Sequence, residues 1–386
     1  MGSKSFQSIA TAAVHAGEPD PRTGGAVTMP IFQSSTFIYE GGTDYHATRY
    51  VRLSNTPNHE VLHRKLAALE KAEAALVTSS GMAAISTTLL TVLQSGDHLL
   101  AMECPYGGTH GFITNELPRF GISHSFIDGS DPEDWRSKLQ PNTRAIYVES
   151  IANPLMQVPD LVGVVKFARA HNLVSMVDNT FTSPVNFRPT EIGFDLSLHS
   201  CTKYLNGHSD LAAGAVIGRA DQIEQIRLRL NHLGGMLDPH ACYLLQRGIK
   251  TVALRVRQQN ESALLIARFL EQHPSVDRVN YPGLESHPAH QRACDLFDGF
   301  GGMLSFELTG GLDAAERLLQ RVTIPIVAVS LGGVESLIIR PAATAYANVE
   351  PAERLRLGVR DGLIRLSVGI EDTNELIDDL RQALEG

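Results

Sequence analysis

The chain has 386 residues but only four cysteines, Cys104, Cys201, Cys242 and Cys294, and no two of them stand close enough for a C-x-x-C pair. That spacing excludes a disulfide framework and a zinc site and predicts buried thiols instead. Basic charge is also scarce: 33 lysines and arginines face 42 aspartates and glutamates, for a formal charge of -9. A nucleic-acid surface needs a clustered basic excess, so that class of partner is excluded. No apolar run is long enough to span a bilayer, and MGSKSFQSIATAAVHAGEPD at the start has no continuous apolar core of a signal peptide. The expected place is the cytoplasm, with no membrane partner. Fifteen histidines are present, and His59 and His63 form the tidiest i,i+4 pair. Without a carboxylate at ligand spacing they read as surface or packing residues, and no metal is expected.

What is there alternates. Strand candidates at 75–78, 98–102, 122–127, 145–148, 173–177 and 211–217 are separated by helix-length segments, the pattern of a mostly parallel sheet in an α/β protein. A helix is expected from Asn58, with Leu62, Leu66 and Leu69 on one face, and a long one over 250–272. Beyond it, strands at 303–308 and 363–368 and helices at 312–319 and 371–384 suggest a smaller α+β lobe. Residues 1–54 lack sustained periodicity and read as an extended arm. The expected organisation is therefore an arm over 1–54, a catalytic lobe over 55–254 and a C-terminal lobe over 255–386.

Chemistry concentrates where the strands end. LSLHSCTKYLNGHSD (196–210) reads as a buried strand running out into Ser200, Cys201, Thr202 and Lys203. Alone, Lys203 reads as one more solvated surface charge. LVSMV (173–177) is a second such strand, with Asp178 at its carboxyl end. In a doubly wound sheet ligands bind outside those ends. Pyridoxal phosphate needs both features, a lysine to take its aldehyde and an acid to keep its ring nitrogen protonated. In Ser79-Ser80-Gly81-Met82, free amides at a helix N-terminus suit a phosphate, with glycine allowing close approach.

These stretches, with SSGMAA (79–84), YGGT (106–109), VDNTF (177–181) and LIRLSVGIED (363–372), resemble the cysteine and methionine metabolism family of pyridoxal-phosphate enzymes. That family includes the cystathionine lyases, cystathionine gamma-synthase, methionine gamma-lyase and the homoserine-ester sulfhydrylases. The resemblance runs from about Thr11 to the C-terminus and implies a fold-type-I large lobe, pyridoxal 5'-phosphate and a homo-oligomer, a dimer paired again into a tetramer. It implies that Lys203 is the cofactor lysine and proton shuttle, Asp178 the ring-nitrogen partner, and Tyr106 the stacking residue and acid toward the leaving group. Asn153 would meet the cofactor's phenolic oxygen, while Ser80, Gly81, Met82, Ser200 and Thr202 cradle the cofactor. Tyr50 and Arg52, in YVRLSNTPN, would reach a neighbouring subunit's phosphate. Arg365 and Ser330 would hold the substrate carboxylate. Glu149 ends a strand and is given no role.

The chain departs from its relatives at the substrate's far end. Val329 stands where cystathionine gamma-lyases and gamma-synthases carry glutamate, Gly111 where the former carry arginine, and Gly108 where methionine gamma-lyases carry cysteine. Arg49, His46 and His110 are candidates to rebuild a polar pocket, and Arg340 stands where relatives often have histidine. An apolar residue at 329 favours a thioether tail. The expected reaction is γ-elimination from methionine or homocysteine, with cystathionine lysis or γ-replacement as the alternative. An aminotransferase would use the same lysine and aspartate but does not carry YGGT and SSGMAA. A silent scaffold would not need Lys203, Asp178, Tyr106 and Arg365 together.

Overall fold

The computed structural model describes residues 6–347 and 349–385. Its larger sheet has seven strands: β1 (Ala74–Thr78), β2 (His98–Met102), β3 (Ser123–Ile127), β4 (Thr143–Glu149), β5 (Val174–Asp178), β6 (Leu196–Ser200) and β7 (Gly214–Gly218). They run in the order β1-β7-β6-β5-β4-β2-β3. Only β7 is antiparallel to its neighbours, pairing so with β1 and β6. The expected strands all form, although the one expected over 211–217 begins only at Gly214.

Strand sequences rich in Leu, Val, Ile and Ala bury both faces, as a parallel sheet under helices requires. Leu100 and Val177 join the core beneath the helices Pro57–Leu69, Leu161–Ala170 and Pro239–Ile249. Their neighbours Leu99 and Met176 point to the other face, under Gly81–Val92 and Ala220–Leu233. With six strands pointing one way, the carboxyl ends of β1, β2, β4, β5 and β6 share one edge, and every strand-end motif is delivered there.

The smaller sheet holds β8 (Val276–Asn280), β9 (Met303–Leu308), β10 (Ile326–Val327), β11 (Leu337–Ile339) and β12 (Leu363–Ser367), in the order β10-β11-β12-β9-β8. Ile364 and Leu366 face its core, so Arg365 between them faces away. The helix Val252–Glu271 packs on both parts, and the boundary expected near Leu254 lies in its first turn. Strands β8, β10 and β11 are short and only weakly patterned, and their sequences alone do not reveal them.

Two readings change and one narrows. The arm is not simply extended: Ile9–His15 is a helix whose Ile9, Ala12 and Ala13 enter the large core, because a single apolar stripe of small residues is enough to pack on Pro57–Leu69. Of His59 and His63, read as surface or packing residues, the first is fully buried and the second half-buried. His59 bridges Thr56 Oγ1 and the Leu237 carbonyl, each at 2.8 Å, and burial lowers its pKa to about 4. Of the cysteines, Cys201 and Cys242 are buried, but Cys104 is half-buried and Cys294 exposed, the latter on a short surface helix. Among the described residues no helix is long and apolar enough to cross a membrane.

The arm helix is pinned by a buried charge. Lys65, wholly enclosed, donates to the carbonyls of Ala13 and Val14 at 3.0 and 3.2 Å and lies 3.6 Å from Glu18, itself nearly enclosed. Burial lowers the ammonium to about 8, with Glu18 opposing. Removing one member of such a pair leaves a buried charge uncompensated. Glu18→Ala is expected to cost about 3 kcal/mol of unfolding free energy in urea denaturation, and adding Lys65→Met should recover most of that loss.

Candidate active site

Along the shared edge lies a cavity of about 690 Å³. Ser80, Gly81, Met82, Tyr106, Asn153, Asp178, Ser200, Thr202, Lys203, Val329, Ser330 and Arg365 all line it, so twelve expected site residues from seven separate stretches converge. The large sheet contributes mainly the turns that leave the carboxyl ends of its strands. The smaller sheet closes the cavity with Arg365 from β12 and the segment before β11.

Lys203 sits in a tight turn after β6, with its backbone bonded to Ser200 and Gly207. The buried Arg255 guanidinium clamps that turn through the carbonyls of Tyr204, at 2.8 Å, and Leu205. Lys203 Nζ donates to Ser330 Oγ at 2.7 Å. Burial, and then the charge of Arg365, lowers the amine to about 8. Ser330 has a left-handed backbone, φ 88°, a conformation that costs a non-glycine residue about 1–3 kcal/mol. It lets one residue serve two cations, the hydroxyl meeting Lys203 and the carbonyl accepting from Arg365 Nη2 at 2.9 Å. Arg365 Nη1 also donates to Asn153 Oδ1 at 3.3 Å, and no ion pair forms with Glu371, which instead accepts from Ser336.

Asp178 Oδ1 accepts from the Thr180 amide at 2.9 Å, and Oδ2 lies 3.5 Å from the Tyr147 hydroxyl. Burial raises its pKa against these bonds. Glu149, for which the sequence offers only an acid at the end of a buried strand, also lines the cavity beside Asp178. Burial first and Asp178 second push it up to about 8. Tyr106 is 51% exposed at the rim, with its amide donating to Glu149 Oε1 at 2.5 Å. Thr180, within VDNTF, lines the cavity too, as do Thr344 and Ala345, which nothing in their local sequence marks.

The residues fit pyridoxal 5'-phosphate. Ser80 caps the Gly81–Val92 helix by accepting from Ala83, which leaves the amides of Gly81 and Met82 available to an anion. A Cβ on Gly81 would lie 2.9 Å from Ser200 Cβ, so only glycine admits this close approach. Ser200 Oγ makes no hydrogen bond among the described residues, whereas Thr202 Oγ1 is engaged with the Ala213 backbone in both directions. Among the described residues of one protomer, the cradle therefore offers amides and a hydroxyl but no further cation. Tyr50 and Arg52 do not line it. Arg52 donates to the Asn231 carbonyl at 2.6 Å and to Tyr45 Oη at 2.7 Å. The residues named for a rebuilt polar pocket are elsewhere in the protomer: Arg49 pairs with Glu60, His110 stacks on Phe126, and His46 lies near Asn231, while Arg340, outside the cavity too, lies 3.5 Å from Glu316. Among the described residues no group of three His, Cys, Asp or Glu side chains is placed to hold a metal.

A neutral amine is what attacks an aldehyde. Cofactor-free protein should therefore combine with pyridoxal 5'-phosphate at a rate rising about tenfold per pH unit below the Lys203 break and levelling above it, with that break at about 8. Arg365→Met removes the charge that helps lower the amine, and stopped-flow absorbance should show the break moving to higher pH.

The chain is 42% identical to an L-methionine gamma-lyase of Fusobacterium nucleatum subsp. polymorphum, covering 98% of each chain. It is 41% identical to a cystathionine gamma-lyase of Bacillus subtilis, over 97% of this chain and 98% of the relative. The crystal structure of metB from Corynebacterium glutamicum superposes with a TM-score of 0.93 at 35% identity, covering 98% of both chains. Residues 10–385 match the family described as Cys/Met metabolism PLP-dependent enzyme, and the chain belongs to that family of pyridoxal-phosphate enzymes.

Proposed function

We propose that the enzyme carries out γ-elimination on methionine- or homocysteine-type substrates, releasing 2-oxobutanoate, ammonia and a thiol. The observation that carries this reading is Val329, 65% exposed at the mouth of the substrate cavity, with Leu331 and Ile339 also on its lining. An apolar rim accepts a thioether or small thiol tail without desolvating a charge, and offers no partner to the distal ammonium of cystathionine. Gly108 belongs to the same argument. A Cβ there would lie 2.6 Å from the Tyr106 ring, so the ring takes the space where a cysteine side chain would start.

Pyridoxal phosphate, when bound, supplies the electron sink that makes the α-proton acidic. Lys203, held by Ser330 and lowered to about 8, has an accessible neutral form to take that proton and pass it along the substrate. Arg365 orients the substrate carboxylate with a planar fork already anchored to Ser330 and Asn153. Its pKa, lowered by burial to about 10, keeps it cationic at neutral pH. Asp178 would supply the negative charge that keeps the ring nitrogen protonated. Tyr106, on the open side, protonates the departing sulfur. Four free thiols fit a cytoplasmic location.

The alternative is a cystathionine gamma-lyase, as the Bacillus subtilis relative is named, or a γ-replacement enzyme. The comparison of kcat/KM for methionine, homocysteine, cystathionine, and an acylated homoserine with cysteine decides between them. Elimination from methionine or homocysteine is expected to dominate. A hundredfold preference for cystathionine formation or cleavage, nearly 3 kcal/mol at about 1.4 kcal/mol per decade, would overturn the argument from Val329.

We also propose that each site is completed by the partner subunit, with Tyr50 and Arg52 supplying the phosphate contacts absent from their own protomer's cavity. The working unit is then at least a dimer, paired into a tetramer. Inactive Arg52→Ala and Lys203→Ala chains should regain part of the wild-type activity when mixed under conditions of subunit exchange, because some hybrid sites hold both intact residues.

A further inference from the structure

Glu149 has no task in the reaction above, yet it is more firmly held than Tyr106, which does. It ends β4 and lies opposite Asp178 in the parallel β4–β5 register. Its carboxyl accepts the Tyr106 amide at 2.5 Å and also meets the backbone N–H of Asn153. These turns flank the cavity on two sides. Tyr106 has no side-chain hydrogen bond among the described residues, so in the protomer its half-exposed ring is placed by its backbone and by packing over Gly108. Asn153 in turn accepts from Arg365 through Oδ1, and its carbonyl accepts from the Tyr346 hydroxyl at 3.2 Å. One carboxyl therefore joins the stacking residue to the carboxylate clamp.

We propose, resting on the reading of the site given above, that Glu149 is a positioning residue that ties the Tyr106 turn to the Asn153 turn and is the proton-bearing member of the Glu149–Asp178 pair. Two adjacent buried carboxyls do not ionise together at small cost. Asp178 has the better claim to the charge: it receives the Thr180 amide and hydroxyl and the Tyr147 hydroxyl, and His199 stabilises its charge. Glu149 meets two amides, which a neutral carboxyl satisfies equally through its carbonyl oxygen. The other groups that face Glu149 are Tyr147 on its own strand, Cys104 after β2 and Tyr346, with Lys203 and Arg365 as the cations of the cavity. A neutral Glu149 keeps the acid side of the cavity at one negative charge. The position pushed up to about 8 by burial and by Asp178 agrees with that division.

Two variants test this. In cofactor-free protein, the wild type should lose thermal stability relative to Glu149→Gln as pH rises from about 4.5 to about 8, with no further change above. The sign is set by the folded state binding more protons than the unfolded state across that window. Glu149→Ala, which removes both amide acceptors, should lower kcat about tenfold or more and weaken equilibrium binding of pyridoxal 5'-phosphate. Glu149→Gln, retaining a carbonyl oxygen, should recover much of that loss. A melting-temperature difference independent of pH, or kcat and cofactor affinity in Glu149→Ala within twofold of wild type, would overturn the proposal. A wild-type enzyme inactive on every sulfur amino acid would instead strike the underlying reading of the site, while the cofactor-free titration reports on Glu149 in either case.

Discussion

Burial of several charges in one partly enclosed cavity is the constraint on which this structure turns. Lys203, Arg365, Asp178 and Glu149 all line it, and each has its pKa moved in the direction that favours the neutral form. Desolvation is the first cause in every case. The remaining architecture supplies compensation: the Ser330 hydroxyl and carbonyl for the two cations, and the Thr180, Tyr106 and Asn153 amides for the two acids. A lysine lowered to about 8 is a usable base at neutral pH, whereas an exposed one is not.

That compensation depends on the sheet. Because six of its strands point one way, five stretches far apart in sequence reach the cavity at the carboxyl edge, and the β4–β5 register sets Glu149 against Asp178. The smaller sheet adds the substrate side. The β12 alternation that buries Ile364 and Leu366 turns Arg365 toward the cavity, and the left-handed Ser330 carries the loop before β11 across to Lys203. Arg365 and Lys203, the residues proposed as substrate clamp and cofactor lysine, thus come from different sheets and meet through a single serine.

Among the described residues the protomer's cavity gathers the titratable side chains but offers no further cation beside the Gly81 and Met82 amides. The amides of Gly81 and Met82 and the Ser200 hydroxyl are available to an anion without a further cation in the described cradle, while Arg52 bonds to Tyr45 on its own arm and to the Asn231 carbonyl. Exposed apolar residues on that arm, Val27, Ile38 and Tyr39 among them, belong to the same segment. This distribution is the physical basis for reading the site as shared between subunits.

The sequence by itself determined the fold class and marked the residues that gather along one side of the cavity. Lys203, Asp178, Tyr106 and Ser80–Gly81–Met82 each stand at or just past the end of a short apolar strand, and a strand running out into small or polar residues is a local pattern that survives without tertiary information. Contacts between distant stretches leave no such trace. Only the tertiary structure decided that Glu149 lies against Asp178 and holds the Tyr106 turn, that Ser330 bridges Lys203 and Arg365, and that Thr344 and Ala345 line the cavity. It also decided that His59 is buried and His63 half-buried, that the arm carries a packed helix, and that Arg49, His110 and Arg340 are committed outside the cavity. In each instance the deciding quantity is burial or a partner supplied from elsewhere in the chain. Residue type and spacing along the sequence do not encode either one.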